Sequence, residues 1–221
     1  MELIKKGSRI LCLSPHPDDV EFGLGATLNK YKGVIEGFLL IFSDRSNTRG
    51  EKYNERDQQL SSKIAGFSME NVKFIDQLGL DIERLPIRFF TSEKNRDLIR
   101  LVISKILEKF IPDIIFCPSI KETMQDHQAV GEEVIRICRD KASILGYEVP
   151  KHNRFFQPNV FINISEDDLK EKIKMLESFS EFTKRYYFHQ DSIKSLARVR
   201  ALDAGYFGFA EGFELYRAFI P

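Results

Sequence analysis

Short apolar runs bounded by turn residues alternate along the chain with longer segments of helical periodicity. The short runs predict strands at 9–14, 37–43, 72–75, 114–118 and 160–164. The longer segments predict helices at 24–31, 54–66, 93–110, 126–145 and 166–179, followed by a helix at 192–205 and a short strand near 213–219. This alternation predicts an α/β fold, a Rossmann-like, doubly wound and mainly parallel sheet with helices on both faces.

The length, charge and composition of the chain indicate what kind of protein it is. With 221 residues and no internal repeat, low-complexity tract or linker, we expect a single domain over residues 1–221. The 33 basic and 33 acidic residues cancel, so the chain lacks the basic footprint of a nucleic-acid binder. A hydrophobic content of 43% with 19 Phe favours a packed globule over a disordered chain.

The cysteines and the N-terminus indicate a compartment. Cys12, Cys117 and Cys138 are odd in number and lie in apolar runs, which is typical of buried, reduced thiols. The first six residues are charged and precede no long apolar stretch, and no segment approaches the roughly 20 apolar residues of a membrane span. We therefore expect a cytoplasmic protein without a membrane span.

The turn after the first predicted strand carries the candidate chemistry, in the sequence Pro-His-Pro-Asp-Asp at 15–19. His16 and Asp19 are three residues apart, so both can face one divalent ion, while Asp18 is left to act on a water. Catalytic zinc sites use three protein ligands plus water. His127 is a candidate third ligand, because it follows the strand at 114–118 and parallel sheets gather ligands at the carboxyl ends of their strands.

Structural interpretations compete with this one. Aspartate is favoured as a helix N-cap, so Asp18 or Asp19 could cap the next helix. His127 shares a helix face with Val130 and Val134, where a lone histidine is usually a core residue. The two prolines stiffen the turn and make a purely structural role for its acidic pair harder to sustain.

Two motifs give the chain a family resemblance. It resembles the LmbE/PIG-L-type zinc-dependent N-deacetylases, whose first motif is a His-Pro-Asp-Asp turn followed by a glycine-rich helix start. Residues 16–19 match that turn, with Glu21 and Gly25 in the expected surroundings, and Asp126-His127 match the Asp-His that ends the second motif. The segments 156–161 and 209–213 resemble parts of the sugar-deacetylase branch.

The resemblance implies a role for each matched residue. His16, Asp19 and His127 would hold Zn²⁺, a ligand set that iron(II) also accepts, and Asp18 would be the general base. Asp126 would orient a ligand or the base, because ligating imidazoles usually donate their other N–H to an oxygen. An N-cap of the following helix is the alternative for Asp126.

Substrate contacts are predicted at three further positions. Arg45 follows the second strand, and it or Arg49 would hold an anionic part of the substrate, unless the segment is only a solvated loop. Arg56 keeps an arginine of the family that is structural or orients the substrate, and Glu211 lies in one of the matched C-terminal segments. The implied substrate is a small N-acetylated sugar or glycoconjugate. The aromatic residues at 186–188 suit core packing, sugar stacking or a homo-oligomer contact.

Two positions depart from the family pattern. At one of them, Gln59 stands where the family often has Glu after the arginine that Arg56 keeps. The family often has a histidine three residues before its last ligand, where it is thought to stabilise the oxyanion or donate a proton, but this chain has Met124. A thioether is only a weak acceptor and cannot do either. Three functions follow: a zinc-dependent N-deacetylase, another metal-dependent amide hydrolase, or a metal-binding homologue of weak activity that serves as a binding subunit. Asp18 favours the enzymes, because a pure binder has little use for a base.

Overall fold

The computed structural model describes residues 3–44, 55–85, 92–138, 140, 142–152, 154–179 and 185–219. Within these ranges the strands are β1 (Arg9–Ser14), β2 (Glu36–Ile41), β3 (Val72–Phe74), β4 (Ile114–Pro118), β5 (Ser143–Tyr147), β6 (Val160–Ile164) and β7 (Phe209–Arg217). The α-helices are α1 (Asp19–Lys30), α2 (Glu55–Ala65), α3 (Glu93–Lys109), α4 (Gln125–Cys138), α5 (Glu166–Glu177) and α6 (Gln190–Asp203).

The strands form one sheet in the order β3-β2-β1-β4-β5-β7-β6. The first five in this order are parallel, and β7 runs antiparallel to both β5 and β6. Strand order reverses between β1 and β4, which are direct neighbours in the sheet. The predicted doubly wound, mainly parallel α/β fold is confirmed, and its ligand crevice is expected at the carboxyl ends of β1 and β4.

Side chains of β1 alternate between two hydrophobic cores. Leu11 and Leu13 pack with α3 and α4 on one face, whereas Ile10 and Cys12 pack with α1 on the other. All four are buried, as expected for a parallel strand covered by helices on both faces. No helix in the described ranges is long and apolar enough to cross a membrane.

The predicted helix at 126–145 is wrong in its second half. Helix α4 ends at Cys138, and the apolar run Ser143–Tyr147 is strand β5, paired with β4 and β7. A short apolar run carries no periodicity that separates a strand from a buried helix. Gly146 fits the strand, because a Cβ there would lie 2.5 Å from the hydroxyl of Tyr216 on β7.

Helix α1 begins five residues before the predicted start at residue 24. Its first turn, from Asp19, joins the rest of the helix across a break at Leu24, whose φ of −146° and ψ of 19° are not helical. Gly23 lies just before this break, and a Cβ there would meet the Tyr147 ring at 2.4 Å. The Tyr147 hydroxyl in turn donates to the carbonyl of Leu13 on β1, at 2.8 Å. The glycine therefore allows β5 to pack against the start of α1.

Candidate metal centre

Three potential ligand atoms meet beyond the carboxyl ends of β1 and β4. His16 Nδ1 lies 3.1 Å from Asp19 Oδ2 and 3.3 Å from His127 Nε2, and His127 Nε2 lies 3.2 Å from Asp19 Oδ2. His16 comes from the turn after β1, Asp19 begins α1, and His127 is in the first turn of α4. The topology of the sheet thus gathers residues 111 positions apart into one buried cluster.

This triangle fits a small divalent cation. Tetrahedral zinc with ligands at about 2.0–2.1 Å separates its ligand atoms by about 3.3–3.4 Å, close to the three distances in the cluster. Two imidazole nitrogens and one carboxylate oxygen are also donors of the kind that zinc accepts. The group His16, Asp19 and His127 could therefore bind a metal ion.

Asp126 fixes the orientation of His16. Its Oδ2 lies 2.7 Å from His16 Nε2, which leaves the other ring nitrogen, Nδ1, facing Asp19. Asp126 is the second residue of α4 and its Oδ1 accepts from the amide of His127, so it stands inside the helix and not at its N-cap. A carboxylate on the distal nitrogen is the usual support for a ligating histidine.

Glu122 does the same for His127, although the sequence analysis did not single it out. Its Oε2 lies 2.7 Å from His127 Nδ1, and its Oε1 accepts from the amide of Val149 at 3.0 Å. The side chain is fully buried. Both candidate ligand rings thus have a carboxylate beside one nitrogen and the candidate metal position beside the other. The clue available in the sequence was an acidic residue shortly after a predicted strand.

These carboxylates set the charges of the cluster. Burial alone would lower the pKa of His127, but Asp19 and Glu122 raise it well above its ordinary value. Burial opposes ionisation of Asp19, yet His127 and His16 lower its pKa well below the ordinary value. For Asp126, His16 likewise outweighs burial and lowers the pKa to about 2. These directions favour ionised Asp19 and Asp126 beside a protonated His127, whereas burial raises the pKa of Glu122.

Asp18 stands at the N-cap position of α1 but does not cap it. Its side chain makes no capping hydrogen bond, and its backbone has a φ of 85° and a ψ of −22°. A non-glycine residue with positive φ is uncommon and is concentrated at functional sites. The side chain is buried, and the next residue in the chain is the candidate ligand Asp19. The structure thus gives Asp18 no role as a helix cap, and the general base stays a prediction.

The residues predicted to contact the substrate differ in where the structure puts them. Arg45 and Arg49 lie outside the described residues. Arg56 is exposed in the first turn of α2. Glu211 on β7 is buried, and its two oxygens accept from the amides of Ala26 and Thr27 in α1. It also pairs with the buried Nζ of Lys172 at 2.6 Å, so its carboxylate anchors α1.

His152, which the sequence offered no reason to place here, lies beside the cluster. Its ring centroid is 6.1 Å from that of His127, with the ring planes at 67°. It follows β5 and is partly buried. Met124 is also partly buried and comes directly before α4.

Comparison with known proteins agrees with this geometry. Residues 11–138 match the family described as PIG-L, GlcNAc-PI de-N-acetylase, and the matched stretch includes His16, Asp18, Asp19 and His127. The chain belongs to the PIG-L family. It is 25% identical over 181 residues to YaiS of Escherichia coli (strain K12), described as an uncharacterized deacetylase, covering 78% of this chain and 90% of YaiS.

Solved structures share the PIG-L fold of this chain. N,N'-diacetylchitobiose deacetylase from Pyrococcus horikoshii superposes with a TM-score of 0.71 at 20% identity, covering 94% of this chain and 83% of that one. GalB, the 4-carboxy-2-hydroxymuconate hydratase from Pseudomonas putida KT2440, gives 0.70 at 16% identity, covering 97% and 98%. The fold thus carries both a deacetylase and a hydratase, so the reaction must be argued from this chain's own site.

Proposed function

We propose that this PIG-L family protein is a zinc-dependent N-deacetylase that acts on an N-acetylated amino sugar or glycoconjugate precursor. The observation that carries the proposal is the buried triangle of His16, Asp19 and His127 with Asp18 directly beside it. Membership of a de-N-acetylase family and similarity to a deacetylase relative support amide hydrolysis as the reaction.

The ligand group and Asp18 have different roles in hydrolysis. His16, Asp19 and His127 would hold a divalent metal, which would supply a Lewis acid to polarise the amide carbonyl and acidify the attacking water. Asp18 accepts a proton from that water while the water oxygen bonds to the carbonyl carbon. The same side chain then delivers the proton to the nitrogen as the C–N bond breaks. The products are acetate and a free amine.

The donor set supports zinc as the metal. Neutral imidazole and carboxylate groups suit zinc, and three protein ligands leave a position for water. Two histidines and one carboxylate also suit iron(II), so the metal that supports the highest turnover must be measured. Asp126 and Glu122 would raise the basicity of the two imidazoles toward either ion.

Charged side chains are proposed to recognise the substrate. Arg45 and Arg56 both follow β2 in the sequence and would bind an anionic part of the substrate. Glu211 would act on substrate indirectly, since its carboxylate already holds α1 and Lys172. The buried free thiols of Cys12, Cys117 and Cys138 support a cytoplasmic location.

Met124 favours a second candidate, a metal-binding homologue of weak activity that serves as a binding subunit. Its thioether replaces a hydrogen-bond donor, and loss of one oxyanion donor typically lowers kcat by about 100- to 1000-fold. Asp18 separates the two candidates, because only an enzyme needs it.

The test combines metal analysis with a fluorogenic screen for amine release from N-acetylated sugars, nucleotide sugars and thiol glycosides. We expect about one metal per chain, and Asp18→Asn should lower kcat by at least about 100-fold with metal content unchanged. Asp167→Asn, at an exposed aspartate in the first turn of α5, is the matched control and should keep full turnover. Metal without turnover would favour the binding subunit, and a protein without metal would overturn the site.

A further inference from the structure

His152 lies beside the candidate metal centre. The 6.1 Å separation of its ring from that of His127 places an imidazole beside one of the three ligand side chains. His152 is not part of the ligand triangle, and its side chain is partly buried where the loop after β5 meets the loop after β4.

Backbone hydrogen bonds hold His152 in this position. Its carbonyl accepts from both the amide and the hydroxyl of Thr123, at 2.9 and 3.1 Å, and its amide donates to the carbonyl of Val149. The amide of Val149 donates in turn to Glu122, the carboxylate that orients His127. The loop that carries His152 is therefore tied to the loop that leads into α4 and its candidate ligand His127.

Two features next to His152 fix the loop further. Glu148 makes a two-pronged ion pair with Arg200 on α6, at 2.6 and 2.7 Å. Lys151 has a φ of 87°, and among the described residues only Lys151 and Asp18 combine a side chain with positive φ. Strain of this kind persists where surrounding contacts enforce it, often at functional sites. Both strained residues directly precede a residue of this centre, Asp19 in one case and His152 in the other.

A hydrogen-bond donor beside the metal position would stabilise the negative charge that develops on the carbonyl oxygen during amide hydrolysis. Met124 offers no donor. The histidine ligands cannot supply one either, since each has one nitrogen toward the metal position and the other 2.7 Å from a carboxylate, His16 from Asp126 and His127 from Glu122. An imidazole N–H from a neighbouring loop has the required chemistry.

We propose that His152 is a catalytic residue, whose ring N–H donates a hydrogen bond to the oxygen of the scissile acetamide carbonyl. This inference rests on the proposed deacetylase function. It makes the loop after β5 part of the active site and explains how the chain can keep its activity with a methionine at position 124.

The first test compares variants at one substrate. His152→Ala should lower kcat by about 100- to 1000-fold with metal content and KM little changed, and His152→Gln, which restores an N–H donor, should recover part of the loss. His189→Ala is the matched control, because His189 is exposed at the start of α6 and should not affect turnover. A wild-type rate in His152→Ala would overturn the inference while the deacetylase stands.

A second test needs no substrate. Methylphosphonate is a tetrahedral oxyanion, and its affinity for the zinc-loaded protein can be measured by calorimetry. We expect His152→Ala to weaken binding at least tenfold, and Met124→His to restore it in that variant while adding little to the wild type. Equal methylphosphonate affinity in wild type and His152→Ala would overturn the role of His152. Failure of the wild type to bind zinc would overturn the proposed function and this inference with it.

Discussion

Oδ2 of Asp126 lies 2.7 Å from Nε2 of His16 and thereby presents Nδ1 of the same ring to Asp19. The contact joins the first turn of α4 to the turn after β1, so one carboxylate orients a candidate ligand from a distant part of the chain. The first two predictions concern this contact and the equivalent one at His127.

Asp126→Ala should weaken metal binding by about 10- to 100-fold, because the His16 ring loses the acceptor that fixes its tautomer. Asp126→Asn should lose less metal affinity, since its amide oxygen can still accept from His16 Nε2. Affinity is measured by competition with a chromogenic chelator. Equal affinities for wild type and Asp126→Ala would mean that the contact does not support the metal.

Glu122→Ala should reduce both metal affinity and stability. The change frees the His127 ring and leaves the buried amide of Val149 without its acceptor, which costs about 1–3 kcal/mol. Urea denaturation of the metal-free protein isolates the stability loss. Exposed Glu166, in the first turn of α5, provides the control Glu166→Ala. A loss of metal affinity without any loss of stability would contradict the role assigned to the Val149 amide.

Substitutions at Asp18 should separate backbone strain from chemistry. Asn tolerates positive φ, so Asp18→Asn should unfold at nearly the wild-type urea concentration. Asp18→Ala must place its Cβ in the left-handed region and should be less stable than Asp18→Asn by about 1–2 kcal/mol. Both variants should lack amide hydrolysis. Equal stability of the two would show that the backbone at residue 18 relaxes when its side chain is removed.

Metal binding should release protons at neutral pH. Because Asp19 and Glu122 raise the pKa of His127 well above its ordinary value, the metal-free protein holds a proton on His127 at pH 7, and the metal must displace it. Affinity should therefore rise with pH through neutrality. Calorimetry in buffers of different ionisation enthalpy should report about one proton released per ion. Binding enthalpies independent of the buffer would refute this.

Gly23→Ala should destabilise the protein although alanine is the better helix former. The added methyl would lie 2.4 Å from Cδ2 of the buried Tyr147 ring, and such overpacking typically costs about 1–3 kcal/mol. Gly25→Ala is the comparison, because its Cβ would meet the side chain of Lys172 at 3.1 Å. The urea midpoints should order as wild type, Gly25→Ala, then Gly23→Ala; a Gly23→Ala midpoint above that of Gly25→Ala would contradict the packing argument.

The sequence specified the ligand crevice because the strands that frame it are simple apolar runs. Both β1 and β4 match their predicted bounds, so the polar turns that follow them were correctly expected at one edge of the sheet. Glu122 and His152 escaped prediction for a physical reason. Neither has a fixed spacing from His127, and their positions depend on how the loops after β4 and β5 bond to each other. Because strand β5 was not predicted from the sequence, the loop that follows it and carries His152 could not be placed at the site either.

The hydrogen bond from Tyr147 to Leu13 and the bonds from Glu211 to the amides of α1 all reach back from beyond residue 138, where the match to the PIG-L family ends. A fragment stopping at Cys138 would contain every candidate ligand and none of these supports. We expect it to lack a defined metal site, so the recognisable part of the sequence is not a separable module. The candidate ligands in the first 127 residues therefore depend on strands β5 and β7, and fusion or truncation designs must keep both strands.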